Sequence, residues 1–96
     1  MPWTINSRIF ENRVPENDAP AIARLKNAGA IIIGKANLNE FFSRPTESDL
    51  NPPPWNPWNP ERMSVGSSSG SGAALAARMP SGTIGVDGGG SVRLPA

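Results

Sequence analysis

The chain has 96 residues, with nine basic and eight acidic side chains, a formal charge of +1, and neither cysteine nor histidine. These counts exclude disulfides, thiolate chemistry and histidine-based catalysis or metal binding within the sequence. The balanced charge does not support binding to nucleic acid or to an anionic membrane, and no apolar run has the length of a membrane span or the pattern of a signal peptide. We therefore expect a cytoplasmic protein that contacts neither nucleic acid nor a membrane directly.

The first regular pattern predicts a helix followed by a buried strand. Asn17 is a capping residue, Pro20 suits a first helical turn and Gly29 suits a helix end, so we expect a helix over roughly Ala19 to Asn27. The apolar run from Ala30 to Ile33 is bounded by glycines and is typical of a short strand buried on both faces. A helix that leads directly into a buried strand indicates an α/β fold.

The middle of the chain predicts one more short helix and then an irregular connector. Asn37 and Glu40 have the spacing of a capping box, which predicts a helix beginning there. Residues 43–62 carry six prolines and no sustained periodicity, so we expect an irregular connector over about that range. Its repeat "PWNPWNP" fits either a polyproline-like ligand for an aromatic groove or a loop whose tryptophans pack onto the fold, and we favour the loop.

Two serine-containing loops follow. The stretch Gly66 to Met79 begins with glycine and serine and continues with alanine and leucine, which predicts a loop that leads into a helix. Thr83 to Val86 is predicted as a short strand, followed by three glycines and Ser91. A phosphate-binding loop and a dinucleotide fingerprint both fail at Gly66 to Ser71, because the lysine and the third glycine that they need are absent. A plain Gly/Ser linker remains an alternative there.

The two loops together favour acyl-transfer chemistry. A serine hydroxyl must pass its proton to a base when it attacks a carbonyl carbon. In a chain without histidine, a second serine can relay that proton to a lysine. The glycines before Ser91 have no side chains to shield their backbone N–H groups, and such groups can stabilise a developing oxyanion.

Three blocks carry a resemblance to a known family: "GAIIIGKANLNEFF", "NPWNPERMSVGSSSGSGAALAA" and "GTIGVDGGGSVRLPA". In this order they resemble three consecutive blocks of the amidase signature family, and nearly the whole chain from Asp18 onward follows the family's pattern. The resemblance implies a partial piece of an α/β/α fold with a mixed central sheet, incomplete at both ends. Residues 1–96 would then form a partial amidase domain that needs the remainder of the domain as its partner.

The resemblance also implies roles for particular residues. Ser91 matches the acyl-accepting nucleophile, and Ser67, which precedes it by 24 positions, matches the bridging serine of a Ser, cis-Ser and Lys triad. The cis peptide would join Ser67 to Ser68. We expect Arg93 and Pro95 to have structural roles. No cofactor and no metal is expected. The backbone amides that would form the oxyanion hole are those of Gly88, Gly89, Gly90 and Ser91.

The third member of the triad is not matched within the chain. The only lysines are Lys26 and Lys35, and in the family the catalytic lysine lies in a segment that would precede Met1. Our leading hypothesis is a fragment of an enzyme that hydrolyses the C–N bond of a small-molecule carboxylic amide through an acyl-enzyme on Ser91. Two alternatives stay open: the A subunit of the tRNA-dependent glutamyl amidotransferase, which releases ammonia from glutamine, and a catalytically silent product that lacks its base. We expect no efficient activity from the isolated chain.

Overall fold

The computed structural model describes residues 1–43, 48 and 50–96, and its regular elements are short. Two helices and a two-stranded antiparallel sheet agree with the predicted α/β class. None of these helices is long and apolar enough to cross a membrane. In chain order the elements are a 3-10 turn at Arg8–Phe10, α1 at Pro20–Asn27, a 3-10 turn at Glu40–Phe42, β1 at Trp55–Asn56, β2 at Asn59–Met63 and α2 at Ser69–Ala76.

Helix α1 confirms the first predicted element to within one residue. Pro20 occupies the first turn, where its missing N–H costs nothing. Gly29 adopts φ +90°, and the N–H groups of Gly29 and Ala30 donate to the carbonyls of Lys26 and Leu25, both at 3.0 Å. This pair of bonds around a left-handed glycine satisfies carbonyls that the end of a helix otherwise leaves unpaired.

The two strands predicted at Ala30 to Ile33 and at Thr83 to Val86 are not formed. Ile31 and Ile33 are 88% and 73% exposed, and no described residue pairs with this backbone as a strand. At Thr83 to Val86, the backbone bonds to a serine hydroxyl instead of to a second strand: Ser71 Oγ donates to Ile84 O at 2.8 Å. An apolar run shows that a segment can be buried, but a strand also needs a neighbouring backbone to pair with.

The connector predicted over 43–62 contains a hairpin that periodicity did not reveal. Residues 44–47 and 49 of this stretch lie outside the described residues. Trp55 pairs with Met63 and Asn56 with Asn59, while the Asn56 side chain accepts the N–H of Trp58 at 2.8 Å and so closes the turn. Trp55 and Trp58 are 54% and 75% exposed, so they are not buried against the other described residues.

The helix predicted from Asn37 is reduced to the 3-10 turn at Glu40–Phe42. The residue before this turn is Asn39, and its side chain does not cap the turn. Phe41 and Phe42 adopt φ values of +48° and +58°, which an α-helix does not allow. The capping box predicted from Asn37 and Glu40 therefore does not form.

The interior of the described part of the chain is polar. Ile5 is its buried hydrophobic residue, at 8% exposure, whereas most buried positions carry serine or asparagine. Such groups are stable inside a protein only when they are hydrogen-bonded. No fully buried side-chain nitrogen or oxygen among the described residues lacks a partner. The buried polar residues are Asn6, Ser7, Asn39, Ser48, Ser67, Ser68, Ser69 and Ser71.

Candidate active site

The serine loop, residues 66–71, is the most deeply buried polar segment described. Ser67, Ser68 and Ser69 are 4%, 7% and 0% exposed, and α2 begins at Ser69. A cis peptide bond joins Gly66 to Ser67. The prediction that the cis bond joins Ser67 to Ser68 is therefore wrong: the bond lies on the N-terminal side of Ser67, where the flanking residue is glycine.

Hydrogen bonds hold the serine loop against the segment that leads to Ser91. Ser68 N–H donates to Ser91 O at 3.2 Å, and Ser68 Oγ accepts the N–H of Val86 at 3.2 Å. Ser68 lies very close to the backbone of Gly85, since a Cβ added at Gly85 would lie 2.5 Å from Ser68 Oγ. The residue after Ser67 is thus bonded directly to the backbone of Ser91.

The glycine loop, residues 87–93, is organised by the carboxylate of Asp87. This side chain accepts the backbone N–H groups of Gly90 at 2.6 Å, Val92 at 3.2 Å and Arg93 at 3.2 Å. Gly90 adopts φ +111°, which side-chain-bearing residues rarely adopt, and its carbonyl accepts the N–H of Leu94 at 2.8 Å. The loop therefore curls around one anionic side chain.

Arg93 completes the anchor of the glycine loop. Its Nε and Nη2 atoms each lie 3.0 Å from an oxygen of Asp87, which is a bidentate pairing. The Arg93 side chain and, next, the Gly90 N–H hold the pKa of the Asp87 carboxyl well below its usual range. The hydrogen bond to Asp87 in turn raises the pKa of Arg93.

Sequence reasoning missed Asp87. A signal was available, because aspartate accepts hydrogen bonds from backbone groups a few residues further along and favours turns for that reason. An aspartate directly before three glycines therefore indicates a side chain that organises the turn.

Three of the four backbone amides predicted for the oxyanion hole have no hydrogen-bond partner among the described residues. The exception is Gly90, whose N–H donates to Asp87. Ser91 is half-buried, whereas Gly88 and Gly89 are exposed, and a Cβ added at either glycine would meet nothing within 4 Å. An anion that approaches this part of the loop would meet backbone N–H groups with no side chain in between.

The hydroxyls of Ser67 and Ser91 make no hydrogen bond with other described residues. The Ser67 backbone is held, since its carbonyl accepts the N–H of Asn39 at 3.2 Å. Because every fully buried polar side-chain atom among the described residues has a partner, the Ser67 hydroxyl must retain some contact with solvent. Both hydroxyls are thus available to bond to a substrate or to a base.

Neither lysine forms a hydrogen bond or an ion pair with Ser67, and each bonds to another partner. The Nζ atom of Lys26 forms an ion pair with Asp18 at 2.7 Å, and the Nζ atom of Lys35 donates to the carbonyl of Pro2. The described residues also contain no group of three or more His, Cys, Asp or Glu side chains that could hold a metal ion. The chemistry that this arrangement offers is that of hydroxyls and backbone amides.

The family model described as Amidase matches residues 1–96 of the chain. The chain belongs to the Amidase family. This membership confirms the resemblance that the three sequence blocks carry.

Relatives of this Amidase-family chain include two proteins named as the A subunit of glutamyl-tRNA(Gln) amidotransferase. The protein from Geobacter metallireducens is 51% identical over 94 residues, which are 97% of this chain and 19% of the relative. The protein from Maridesulfovibrio salexigens is 47% identical over 97 residues, which cover 100% of this chain and 20% of the relative. The chain thus spans about a fifth of the length of the curated relatives it matches.

A solved structure of the same kind matches the Amidase-family fold described above. It is the crystal structure of the A subunit of glutamyl-tRNA(Gln) amidotransferase from Thermotoga maritima, with a TM-score of 0.92 and 46% identity. The match covers 99% of this chain and 21% of that structure. The backbone conformation of this chain, including the segment that exposes Ile31 and Ile33, therefore resembles part of a much longer protein.

Proposed function

We propose that this chain carries the reacting serines of an enzyme that cleaves the C–N bond of a carboxylic amide through an acyl-enzyme on Ser91. The proposal rests on the hydrogen bond from Ser68 N–H to Ser91 O, 3.2 Å long, which holds the serine loop and the glycine loop together. Ser67 immediately precedes the donor, and Ser91 itself supplies the acceptor. The two free hydroxyls thus belong to backbone segments in direct contact.

In the first half of the reaction, Ser91 Oγ attacks the carbonyl carbon of the amide and gives its proton to Ser67 Oγ, which at the same time passes its own proton on to the base at the end of the relay. The negative charge that develops on the carbonyl oxygen is stabilised by the free N–H groups of Gly88, Gly89 and Ser91, and one such donor contributes about 3 kcal/mol. The C–N bond then breaks, and the leaving nitrogen receives a proton through Ser67. An ester between the acyl group and Ser91 Oγ remains.

In the second half, water attacks the ester carbonyl and gives up its proton along the same relay. The bond between the acyl carbon and Ser91 Oγ breaks, Ser91 regains its proton, and a carboxylic acid leaves. The relay ends at a base. Lys26 and Lys35 are engaged with Asp18 and Pro2, so we assign the base to a lysine elsewhere in the complete polypeptide, as the family resemblance implies.

We further propose that the amide is the side-chain amide of glutamine and that the product is ammonia. The relatives described above are named as amidotransferase subunits, and they match nearly the whole chain at 47% to 51% identity. This similarity favours the amidotransferase alternative over a general amidase. The other components of such a complex would use the ammonia that the Ser91 site releases.

The test uses the product of the complete reading frame that encodes this sequence. Ammonia release is measured with glutamine and with a simple amide such as benzamide, and Ser91 is tested for labelling by a fluorophosphonate. Ser91→Ala should lower the rate at least about 1,000-fold and abolish labelling, because the nucleophile is lost. Ser67→Ala should lower the rate by about 100-fold to 10,000-fold, the range of general acid–base catalysis.

Ser81→Ala is the matched control, since Ser81 is exposed and makes no hydrogen bond with the other described residues. It should leave both readouts unchanged. Hydrolysis or labelling that survives in Ser91→Ala would contradict the proposed nucleophile. Faster hydrolysis of benzamide than of glutamine would still support an acyl-enzyme on Ser91, but it would favour a general amidase over an amidotransferase.

A further inference from the structure

Asn39 lies against the serine loop. It is 4% exposed, and its backbone N–H donates to Ser67 O at 3.2 Å. We infer that Asn39 is a positioning residue for Ser67: it holds the serine loop so that the Ser67 hydroxyl lies where the proton relay needs it. This inference rests on the proposed function of Ser67 and Ser91.

The side chain of Asn39 is fully engaged between two segments. Its Oδ1 accepts the hydroxyl of Ser69 at 3.1 Å, and its Nδ2 donates to the carbonyl of Ser43 at 3.1 Å. Ser69 is completely buried, so Asn39 satisfies a hydroxyl that water cannot reach. Loss of the amide would leave that buried donor unpaired, which costs more than the loss of an exposed hydrogen bond.

Gly66 shows how closely the Asn39 side chain fits the loop. A Cβ added at Gly66 would lie 2.6 Å from Nδ2 and 2.8 Å from Cγ and Oδ1 of Asn39. Real Cβ atoms do not approach other atoms so closely, so the amide occupies the space beside the residue that precedes Ser67. Removal of the amide would leave the loop free to move into that space.

Asn37 holds the other end of the serine loop. The N–H of Gly70 lies in the first turn of α2, where no carbonyl of the helix can accept it, and it donates to Asn37 O at 3.0 Å. The segment from Asn37 to Asn39 therefore bonds to the serine loop at Ser67 and again at Gly70. Asn39 contributes the contact nearest to the reacting hydroxyl.

The expected effect is on proton transfer rather than on substrate binding. Ser67 acts as a relay in the proposed mechanism, and a displacement of about 1 Å at a reacting group can cost about 100-fold in rate. An error in the position of Ser67 should therefore lower kcat and change KM little. A purely structural role would lower the amount of folded protein without changing kcat per folded molecule.

The experiment compares Asn39→Ala with Asn39→Asp in the product of the complete reading frame. Asn39→Asp keeps the size of the side chain and an acceptor for Ser69. Asn59→Ala is the matched control, because the Asn59 side chain also makes a hydrogen bond to another residue, accepting the backbone N–H of Glu61 at 3.0 Å, but lies in the exposed hairpin. The readouts are kcat and KM for glutamine and the hydrogen-exchange rates of the Ser68 and Gly70 amides.

Asn39→Ala should lower kcat by about 10-fold to 100-fold with KM within about twofold, and should speed exchange at Ser68 and Gly70. Asn39→Asp should restore only part of kcat, because it keeps the acceptor for Ser69 but loses the donor to Ser43 O. Asn59→Ala should match the unmodified protein in every readout. Unchanged kcat in Asn39→Ala, or a higher KM with unchanged kcat, would overturn the inference. If Asn39→Ala does not fold, Ser69→Ala is used instead, because it removes only the hydrogen bond between Ser69 and Asn39. Ser69→Ala should lower kcat by about fivefold. Unchanged kcat and unchanged exchange rates in this variant would overturn the inference.

The exchange measurement separates this inference from the proposed function. If the unmodified protein shows no hydrolysis that depends on Ser91, the proposed function fails. The exchange rates of Ser68 and Gly70 in Asn39→Ala still decide whether Asn39 holds the loop. Rates equal to those of the unmodified protein would show that it does not.

Discussion

The serine loop at residues 66–71 and the isoleucine segment at residues 30–33 belong to the same short chain but lie in opposite surroundings. Ser69 is 0% exposed although serine is polar, whereas Ile31 is 88% exposed although isoleucine is among the most apolar side chains. The serine loop finds its partners within the chain, at Asn37, Asn39 and Ser91. The isoleucine segment has no strand partner among the described residues.

The difference teaches that the available partners, and not hydropathy alone, decide what is buried. Hydroxyl and amide groups can be buried wherever donors and acceptors match at hydrogen-bond distance. A strand that is apolar on both faces needs a paired backbone at its edges and other side chains above and below it. The loops around Ser67 and Ser91 find these partners among the described residues, whereas the isoleucines find no strand partner among them.

A pair of glycine substitutions gives the largest expected contrast between the two regions. A Cβ at Gly70 would lie 2.6 Å from the backbone N of Asn37 and 3.0 Å from its carbonyl carbon, whereas a Cβ at Gly34 would meet nothing within 4 Å. Gly70→Ala should lower the free energy of unfolding by about 2 kcal/mol despite the better helix propensity of alanine, because backbone atoms cannot move aside cheaply.

Gly34→Ala is the matched control for this prediction and should be neutral or slightly stabilising. Chemical denaturation of the complete protein measures both variants. An equal loss at the two positions would contradict the contrast between a tightly held serine loop and an open isoleucine segment.

An intermediate effect is expected at Asp87, where an ionised side chain holds the glycine loop. The folded protein lowers the pKa of this carboxyl, so its contribution to stability is present in full above its ordinary pKa of about 4 and is lost as the pH falls toward the lower folded value. Asp87→Asn should therefore be less stable than the unmodified protein at pH 7, and the gap should narrow as the pH falls below about 4.

Thermal unfolding across this pH range measures the gap. Glu61→Gln is a suitable control, because it also removes one carboxylate charge but lies in the exposed hairpin. A gap between Asp87→Asn and the unmodified protein that stays constant down to about pH 2, or widens on acidification, would show that the charge of Asp87 does not anchor the loop.

The smallest effect is expected at the ion pair between Lys26 and Asp18. The Lys26 Nζ atom lies 2.7 Å from Asp18 Oδ2, but the two side chains are 55% and 46% exposed. Exposed ion pairs contribute at most about 1 kcal/mol and are screened by salt. Lys26→Ala should cost less than about 0.5 kcal/mol in chemical denaturation, and less at high salt. A loss as large as that of Gly70→Ala would contradict the distinction between the tightly held serine loop and the exposed parts of the chain.

Local signals predicted the parts of the fold that depend on neighbours in sequence. Pro20 and Gly29 bracket α1, and α2 begins at Ser69 within the serine loop and continues through the alanine-rich stretch to Ala76. The hairpin at Trp55–Met63 was missed because its strands carry prolines and asparagines instead of an alternating apolar pattern. The prediction of a strand at residues 30–33 was wrong, because a strand needs a second backbone segment to pair with, and the local sequence does not show whether one is present.

The candidate site divides in the same way. Ser67 and Ser91 could be chosen from residue type, spacing and family resemblance. Asp87 was missed although its place directly before three glycines is a local signal. Asn39 has no such signal, because its N–H and its side chain bond to Ser67 and Ser69, about 30 positions away. Such contacts appear only when distant segments are brought together.

The sequence by itself determined the family, the α/β class, both helices and the two serines proposed to react, because these follow from composition, local propensity and motif. The tertiary structure alone decided that the interior is polar, that the cis bond precedes Ser67, and that the isoleucines are exposed. The physical reason is that burial and hydrogen bonding are properties of pairs of groups. The chain order specifies each group, and only the fold specifies its partner.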